Sequence, residues 1–428
     1  MLIEFSVANY RSILGRQTLN LTASSTYKEL DDTNTFAPEP KGEAMPRLLH
    51  AAVLYGPNAS GKSTLIEALQ FMQQQVIHSQ KDSQAGEAID VTPFKLTAQS
   101  RGADSEFEIV FVEQGVRYEY GFCCNRDRFT EEWLFAYPLG RAQKWFHRVF
   151  DAEQQKYKYK FNTSFQGGKQ RDVWAAQTRP NALFLSTAIQ LNNEQLKPIF
   201  HWFQARLRVL NSVQGIHPGY TLQRCKNESD RKNIVQFMNA ADLSIADIQL
   251  KETPFHADEL PKDMPAMMKQ EFIKEMSGKI FLEPLFFHTD THTEEFIEFQ
   301  EQEESDGTRA LFAFAGPWLD VLENQRILVV DELDSSLHPL LVHQLVKTLH
   351  HAGAQAQLIF TTHDTTLLSQ KILRRDQVWF MEKDAHRATQ LYPLSDFSPR
   401  ENEAIERGYL NGRYGAIPFL KTLDFYGL

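Results

Sequence analysis

Cysteine is scarce in this chain, since only three occur in 428 residues and two of them, Cys123 and Cys124, are adjacent. Three thiols cannot build a disulfide framework or a zinc site with four cysteine ligands. We therefore interpret the cysteines as packing residues of a protein in a reducing compartment.

Long apolar runs are also missing, because no stretch approaches the roughly 20 uninterrupted apolar residues that cross a bilayer. The first residues, Met1-Leu2-Ile3-Glu4, have neither a charged segment nor a cleavable apolar core. We therefore expect a cytoplasmic protein that has no membrane segment.

Positive charge is in deficit, with 45 Lys and Arg against 55 Asp and Glu, which gives a net charge of -10. This balance argues against bulk electrostatic capture of nucleic acid, although a local basic groove remains compatible with it. The contents of 42% hydrophobic and 12% aromatic residues are ordinary for a globular protein and exclude intrinsic disorder. At roughly 100 to 150 residues per domain, the length allows two or three structural units.

Alternating apolar residues predict an antiparallel β lobe in the first part of the chain. They begin at Ile3, Phe5 and Val7, which predict one strand of an N-terminal hairpin, and the period of two returns from Glu106 to Phe161. Residues 191–280 show helix-like patterns that are broken by prolines, and these predict an inserted helical arm.

One segment matches the phosphate-loop pattern G-x-x-x-x-G-K-[ST] at every fixed position, which happens by chance in roughly one or two per hundred chains of this length. An apolar run ends at Tyr55 and helical spacing starts at Lys62, which is the required strand-to-helix context. The glycines let successive backbone N–H groups face a β-phosphate, Lys62 would reach the β- and γ-phosphates, and Ser63 would ligate Mg²⁺. We therefore predict that ATP and Mg²⁺ bind to a loop of these residues: Gly56, Pro57, Asn58, Ala59, Ser60, Gly61, Lys62, Ser63 and Thr64.

A second apolar run, 327–330, ends in the two carboxylates Asp331 and Glu332. Only the C-terminal edge of a strand would bring these groups beside a phosphate loop. We predict that Asp331 holds Mg²⁺ and that Glu332 polarises the attacking water as general base. The alternative is a strand that ends in a solvated acidic turn.

A third apolar run, 357–360, is followed closely by His363. A helix fits between it and the acidic strand, with Pro339 in its first turn and Gly353 after its end. This strand-helix-strand unit predicts a parallel crossover that brings His363 to the same sheet edge as Asp331. Although a lone histidine is more often structural, we favour a ring that hydrogen-bonds the γ-phosphate or the water.

The long interval between Lys62 and Asp331, with His363 after it, resembles the split heads of ATP-binding-cassette proteins of the SMC, RecF and OLD-like families. In such heads a short motif before the acidic strand completes the site of the neighbouring subunit. The segment Ser305-Asp306-Gly307-Thr308-Arg309 occupies that place here, although it departs from L-S-G-G-Q and a simple capped helix is the alternative. The resemblance also implies that Arg11, within Asn9-Tyr10-Arg11-Ser12, lies near the nucleotide.

The end of the chain adds a more specific resemblance. Together with the opening and the motif set, it is similar to the bacterial RloA/AbiLi-type ATPases, which are associated with anti-phage defence, as is the ATPase of PARIS-like systems. This resemblance implies a separately encoded effector, often a Toprim-type nuclease. The residues that carry it are Gly412-Arg413-Tyr414-Gly415-Ala416-Ile417-Pro418-Phe419-Leu420.

These observations predict an α/β protein, an ABC/SMC-like P-loop ATPase head with a mixed sheet, an N-terminal antiparallel β lobe and an inserted helical arm. We expect the N-terminal part of the head in 1–190, the helical insertion in 191–280 and the C-terminal part in 281–428. The predicted function is Mg²⁺-dependent ATP hydrolysis by a homodimer or higher homo-oligomer that switches an effector. The alternative is a RecF/SMC-like DNA-repair ATPase that clamps DNA directly, while a transporter cassette would need a membrane partner.

Overall fold

The computed structural model describes residues 1–38, 44–255, 260, 265–277, 280–335, 337–351, 353, 355–369 and 371–418. The chain divides into two compact units. The first comprises Met1–Ser212, Val321–Asp334 and Val342–Leu428, and the second comprises Val213–Asp320 and Ser335–Leu341. The divisions expected at residues 190 and 280 stay a prediction, and Phe419 and Leu420 of the C-terminal motif lie outside the described residues.

The secondary structure alternates between β-rich and mixed stretches. The strands are β1 (Leu2–Ala8), β2 (Gln17–Asn20), β3 (Thr35–Phe36), β4 (Leu48–Leu49), β5 (Ala51–Tyr55), β6 (Ser105–Glu113), β7 (Val116–Cys124), β8 (Phe129–Tyr137), β9 (Gln143–Asp151), β10 (Lys156–Phe161), β11 (Leu207–Leu210), β12 (Ile245–Pro254), β13 (Ile280–Thr289), β14 (Phe296–Gln300), β15 (Ile327–Val330), β16 (Gln357–Thr361), β17 (Val378–Lys383) and β18 (Thr389–Pro393). The α-helices are α1 (Asp31–Asn34), α2 (Lys62–His78), α3 (Ala98–Arg101), α4 (Gln170–Gln177), α5 (Phe184–Gln190), α6 (Lys197–His201), α7 (Gly219–Cys225), α8 (Glu228–Asn239), α9 (Ala266–Met276), α10 (Asp306–Glu323), α11 (Pro339–His351) and α12 (Ile405–Leu410). Across the described residues, none of these helices combines the length and the apolar character needed to span a membrane.

An antiparallel sheet forms the β lobe of the first unit, with the strand order β10-β9-β8-β7-β6-β1-β2. The predicted N-terminal hairpin is confirmed, because β1 pairs with β2 and places Phe5 opposite Leu19. Alternation buries one face of the inner strands, as at Phe107, Ile109 and Phe111 of β6, which are fully buried in the core of this unit.

A second sheet of the first unit is largely parallel, with the order β11-β15-β16-β5-β17-β18. In this sheet, parallel pairing joins β11, β15, β16, β5 and β17 in that order. Strand β18 pairs antiparallel with β17. Every residue of β5, β15 and β16 is buried, as expected for strands covered on both faces. The predicted α/β architecture with a mixed sheet and an antiparallel β lobe is thus confirmed.

Strand β16 lies between β5 and β15, with Ile359 opposite both Ala52 and Val329. The carboxyl ends of these three parallel strands therefore meet at one edge of the sheet. This edge receives the segments that follow Tyr55, Val330 and Thr361.

The second unit has its own small sheet, β12-β13-β14, and its own core. Helices α7 and α8 and strands β12 and β13 supply buried residues to this core, among them Ile234, Ile248 and Phe286. The described part of 191–280, predicted as a helical arm, thus contains the ten-residue strand β12 as well as helices. The pairing with β13, whose residues start at Ile280, stabilises β12.

Candidate nucleotide-binding site

The predicted phosphate loop connects β5 to α2 and is packed tightly against the sheet. At Gly56, a Cβ atom would lie 2.3 Å from the carbonyl oxygen of Met381 and 2.7 Å from Oγ of Ser60. Gly61 has a φ of 113°, a left-handed conformation that favours glycine, and a Cβ atom there would lie 2.2 Å from Oγ1 of Thr389. Both fixed glycines of the pattern are therefore required by the space and the backbone of the loop.

Lys62 begins α2, and only 6% of its surface is exposed. Its ammonium donates to the carbonyl oxygens of Gly56 at 2.7 Å and Pro57 at 3.3 Å. Burial lowers the pKa of Lys62, whereas the nearby carboxylates of Asp331 and Glu332 oppose this lowering. The cation of the phosphate loop and the two predicted catalytic carboxylates thus belong to one electrostatic cluster.

The rim of the loop is accessible, since Asn58, Ala59 and Ser63 are exposed. Ser60 is buried instead, and its Oγ atom has no hydrogen-bond partner. A buried polar atom without a partner is uncommon, and it lies here within the cradle formed by the loop.

Asp331 follows β15 and is 8% exposed. Its Oδ1 atom accepts a hydrogen bond from Oγ1 of Thr361 at 2.5 Å, and its backbone N–H donates to Leu210 at 3.1 Å. The carboxylate of Asp331 and the hydroxyl of Ser63 are oxygen donors of the kind that Mg²⁺ takes from proteins, with substrate phosphates supplying further ligands. The side chains of the site therefore fit Mg²⁺, although the described residues contain no group of three or more His, Cys, Asp or Glu that would hold a metal alone.

Glu332 is exposed and has a φ of 50°. This value lies in the left-handed region, which residues other than glycine rarely adopt. Its backbone N–H donates to Oγ1 of Thr361 at 2.7 Å, which helps to hold this conformation. Such backbone strain persists only where surrounding contacts enforce it, and it is common at functional sites. Thr361 therefore fixes both Asp331 and Glu332 from the neighbouring strand.

His363 lies two residues beyond β16 and is exposed. Its backbone N–H donates to Oδ2 of Asp334 at 3.2 Å, and so links the segment after β16 to the segment after β15. The structure thus brings His363, Asp331, Glu332 and Lys62 to the same edge of the parallel sheet.

Arg11 lies beside the first turns of α2, where its guanidinium pairs with Glu67 at 2.5 Å. The neighbouring Ser12 donates to Oγ1 of Thr64 at 3.1 Å. The N-terminal lobe is therefore tied to the start of the helix that follows the phosphate loop. The role of Arg11 toward a nucleotide stays a prediction.

The residues Ser305 to Thr308 belong to the second unit and begin α10. Oγ of Ser305 accepts from the backbone N–H of Thr308 at 3.1 Å, which is the contact expected of an N-cap. Ser305, Asp306 and Gly307 are exposed, whereas Thr308 is buried. Their predicted contribution to a neighbouring subunit's site stays a prediction.

Three contacts of the site were not predicted from the sequence. Thr361 holds the acidic pair, Asp334 holds the backbone of His363, and Thr389 lies against Gly61. The two threonines that follow the third apolar run, Thr361-Thr362, are a signal that could have identified the first contact. No local signal marks Thr389, because its contact joins segments more than 300 residues apart.

Comparison with known proteins adds a family assignment. The family described as "AAA domain, putative AbiEii toxin, Type IV TA system" matches residues 51–369. No curated protein matches the chain. Among solved structures, the "SMC head domain from Thermotoga maritima" is 12% identical and has a TM-score of 0.39, covering 92% of this chain and 98% of its own. The "Crystal structure of the SmcHead bound to the C-winged helix domain of ScpA" is also 12% identical with a TM-score of 0.39, covering 93% of this chain and 99% of its own.

Proposed function

The chain belongs to the family described as "AAA domain, putative AbiEii toxin, Type IV TA system", and from that premise we propose that it is a Mg²⁺-dependent ATP hydrolase that controls a separately encoded effector. The observation that supports hydrolysis best is the single sheet edge that gathers Lys62, Asp331, Glu332 and His363. A phosphate loop alone would bind nucleotide, whereas the exposed carboxylate of Glu332 adds a group that can accept a proton from water.

Each side chain has a distinct task in this proposal. Lys62 and the N–H groups of its loop bind and orient the phosphates, so that the γ-phosphate faces Glu332. Glu332 accepts the proton of the attacking water, and His363 donates a hydrogen bond at the γ-phosphate or the water. Ser63 and Asp331 would hold Mg²⁺, which neutralises phosphate charge when it is bound.

The second element of the proposal is a dimer in which Ser305 to Thr308 of one subunit complete the site of its partner. It is supported by the exposure of Ser305, Asp306 and Gly307 at the start of an 18-residue helix. Backbone N–H groups at such a helix terminus favour an anion such as a γ-phosphate. ATP would then favour the associated state, and hydrolysis would remove the contacts that stabilise it.

The third element is the effector, which we propose to be a nuclease, of Toprim type, that acts with this ATPase in anti-phage defence. The resemblance to RloA/AbiLi-type ATPases supports it. Direct clamping of DNA is less favoured because the chain has a net charge of -10.

Two substitutions test the hydrolase. Lys62→Ala is expected to abolish detectable ATP turnover by removing the cation that binds the phosphates. Glu332→Gln is expected to lower turnover by about 100-fold or more while ATP binding is kept, because only the proton acceptor is lost. Phosphate release and the binding of a fluorescent ATP analogue measure the two effects.

Glu153→Gln is the matched control, since Glu153 is also an exposed glutamate and lies in the turn between β9 and β10 of the antiparallel sheet. Turnover by Glu332→Gln equal to that of wild type would contradict the assignment of the general base. For the effector, phage plaques are counted on cells that carry this gene and the adjacent coding sequence, with wild type or Lys62→Ala. Equal plaque counts for the two would contradict the proposed switch.

A further inference from the structure

A hydroxyl from the last strand of the parallel sheet lies directly behind the phosphate loop. Thr389 is fully buried, and its Oγ1 atom lies 2.8 Å from the carbonyl oxygen of Ser60. The same Oγ1 atom lies 2.8 Å from Nζ of Lys383 and 2.9 Å from Oγ of Ser12. Lys383 and Thr389 face each other across the antiparallel pair β17 and β18, so the contact is built into the register of the hairpin.

The chemistry of the partners fixes the direction of these hydrogen bonds. An ammonium group can only donate and a carbonyl oxygen can only accept, whereas a hydroxyl has one hydrogen to give. Thr389 must therefore accept from Lys383 and donate its own hydrogen to the carbonyl of Ser60. Ser12 donates its own hydrogen to Thr64, and its Oγ atom lies 2.9 Å from Oγ1 of Thr389. The hydroxyl of Thr389 thus has a single orientation, aimed at the phosphate loop.

This hydrogen bond also orients the next N–H group of the loop. The peptide bond that joins Ser60 to Gly61 is trans, and in a planar trans peptide the C=O and N–H groups point in opposite directions. Because the carbonyl of Ser60 points at Thr389, the N–H of Gly61 points away from Thr389, toward the opposite side of the loop.

The packing at this point leaves little freedom. A Cβ atom on Gly61 would lie 2.2 Å from Oγ1 of Thr389 and 3.0 Å from Oγ of Ser12. The backbone N–H of Thr389 donates to the carbonyl oxygen of Ser12 at 2.8 Å, so the backbone that carries the hydroxyl is itself anchored. The Ser60–Gly61 peptide therefore packs against Thr389, whose position is fixed. The orientation of this peptide determines the direction of the Gly61 N–H.

We propose that Thr389 is a positioning residue of the ATP site, which holds the Ser60–Gly61 peptide so that the N–H of Gly61 faces the bound phosphates, and that Lys383 orients the Thr389 hydroxyl for this task. The inference rests on the proposed function, because it assigns a support to the same phosphate loop. Without the hydroxyl, the peptide loses the hydrogen bond that fixes its orientation, and the N–H of Gly61 faces the phosphates for only part of the time. Binding should therefore weaken, and the hydrolysis step should be little affected once ATP is bound.

The test compares the binding of ATP and of ADP, each with Mg²⁺, by titration calorimetry on the full chain. Thr389→Val removes the hydroxyl and keeps the shape of the side chain, whereas Thr389→Ser keeps the hydroxyl. We expect Thr389→Val to raise the Kd of both nucleotides about fivefold to tenfold, as for a lost hydrogen bond, and to raise KM with kcat nearly unchanged. Thr389→Ser should bind as wild type does. Lys383→Met should raise the same Kd about threefold, because the hydroxyl is kept but no longer oriented.

Thr187→Val is the matched control, since Thr187 is also fully buried and its hydroxyl donates to the backbone carbonyl of Leu183 at 2.9 Å. It lies near Gln80, beyond the end of α2 that is opposite to the phosphate loop. Thr187→Val should lower the melting temperature without changing either Kd. An unchanged Kd in Thr389→Val or in Lys383→Met, or an equal rise in Thr187→Val, would overturn the inference.

The outcome also separates this inference from the proposed function. A wild-type protein that binds neither ATP nor ADP would refute the ATP site itself. A wild-type protein that binds both, together with a Thr389→Val variant of equal affinity, would refute only the role of Thr389.

Discussion

Glu332 shows at the scale of one residue how the site constrains its backbone. Its φ of 50° lies in a region that costs roughly 1 to 2 kcal/mol for a residue with a side chain, whereas glycine occupies it freely. The hydrogen bond from its N–H to Thr361 holds the residue there, at the point where a proton acceptor is needed. The proposed general base is therefore kept at the expense of stability.

The strained backbone of Glu332 leads to a prediction. Glu332→Gly should raise the free energy of unfolding by up to about 1 kcal/mol, after the greater chain entropy of glycine is subtracted, while turnover is lost. Chemical denaturation and phosphate release measure the two effects. Gln325→Gly is the control, because Gln325 is exposed with a φ of 51° and should gain similar stability with unchanged turnover. A less stable Glu332→Gly variant would show that the left-handed backbone carries no strain.

Residue spacing predicted the loop, the acidic pair and the histidine because each directly follows an apolar strand. The fixed positions Gly56 and Gly61 are explained by close contacts, and Lys62 lies in one electrostatic cluster with Asp331. Thr361 and Thr389 could not be predicted in the same way. Their partners lie 30 and 329 residues away in the sequence, and only the folded sheet brings them together.

At the scale of the element, helix α11 carries a histidine that must stay neutral. His350 is 6% exposed, and its Nε2 atom lies 3.3 Å from Nε2 of Gln377. Oε1 of Gln377 accepts from Asn34, so the amide nitrogen of Gln377 must donate and the ring nitrogen of His350 must accept. Burial lowers the pKa of His350 to about 3, and the nearby His50 and His351 contribute further to the lowering.

The sign of the pH dependence follows from this lowered pKa. Between pH 6.5 and about 3 the unfolded chain binds a proton at His350 that the folded chain does not, so stability falls as the pH decreases. His350 should contribute a slope of up to about 1.4 kcal/mol per pH unit in this window and none above it. Denaturant unfolding at several pH values should show a smaller slope for His350→Gln. The control His386→Gln changes an exposed histidine in the turn between β17 and β18 and should keep the full slope.

The elements themselves were predicted unevenly. The N-terminal hairpin and the parallel strands β5, β15 and β16 have apolar patterns that are complete within each strand. Strand β12 was missed inside the predicted helical arm because its exposed positions outnumber its buried ones, which blurs the alternation. Its pairing with β13 supplies the stabilisation that its own sequence does not indicate.

At the scale of the whole molecule, the proposed dimer makes a prediction that a monomeric enzyme cannot satisfy. Gly307→Arg places a large side chain at the exposed start of α10, and Lys62→Ala inactivates the phosphate loop. A mixture of these two inactive variants should recover up to about a quarter of wild-type turnover, because half of the dimers would contain one intact composite site out of two. Phosphate release from the mixed proteins measures this recovery.

The control mixture combines Lys62→Ala with Glu332→Gln. Both substitutions affect the part of the composite site that the phosphate-loop subunit supplies. No combination of these subunits restores an intact site, so the mixture should stay inactive. Recovery in the control mixture, or none in the first, would contradict a site shared between subunits.

The position of β5 has a consequence for how the protein is made. This strand lies between β16 and β17, so both of its neighbours in the sheet are encoded about 300 residues after it. At translation speeds of about 5 to 20 residues per second, the segment waits roughly 15 to 60 seconds on the ribosome before a pairing partner emerges. A nascent chain that ends before residue 357 would carry the phosphate-loop motif without the two strands that flank β5. We therefore expect only chains of nearly full length to bind nucleotide.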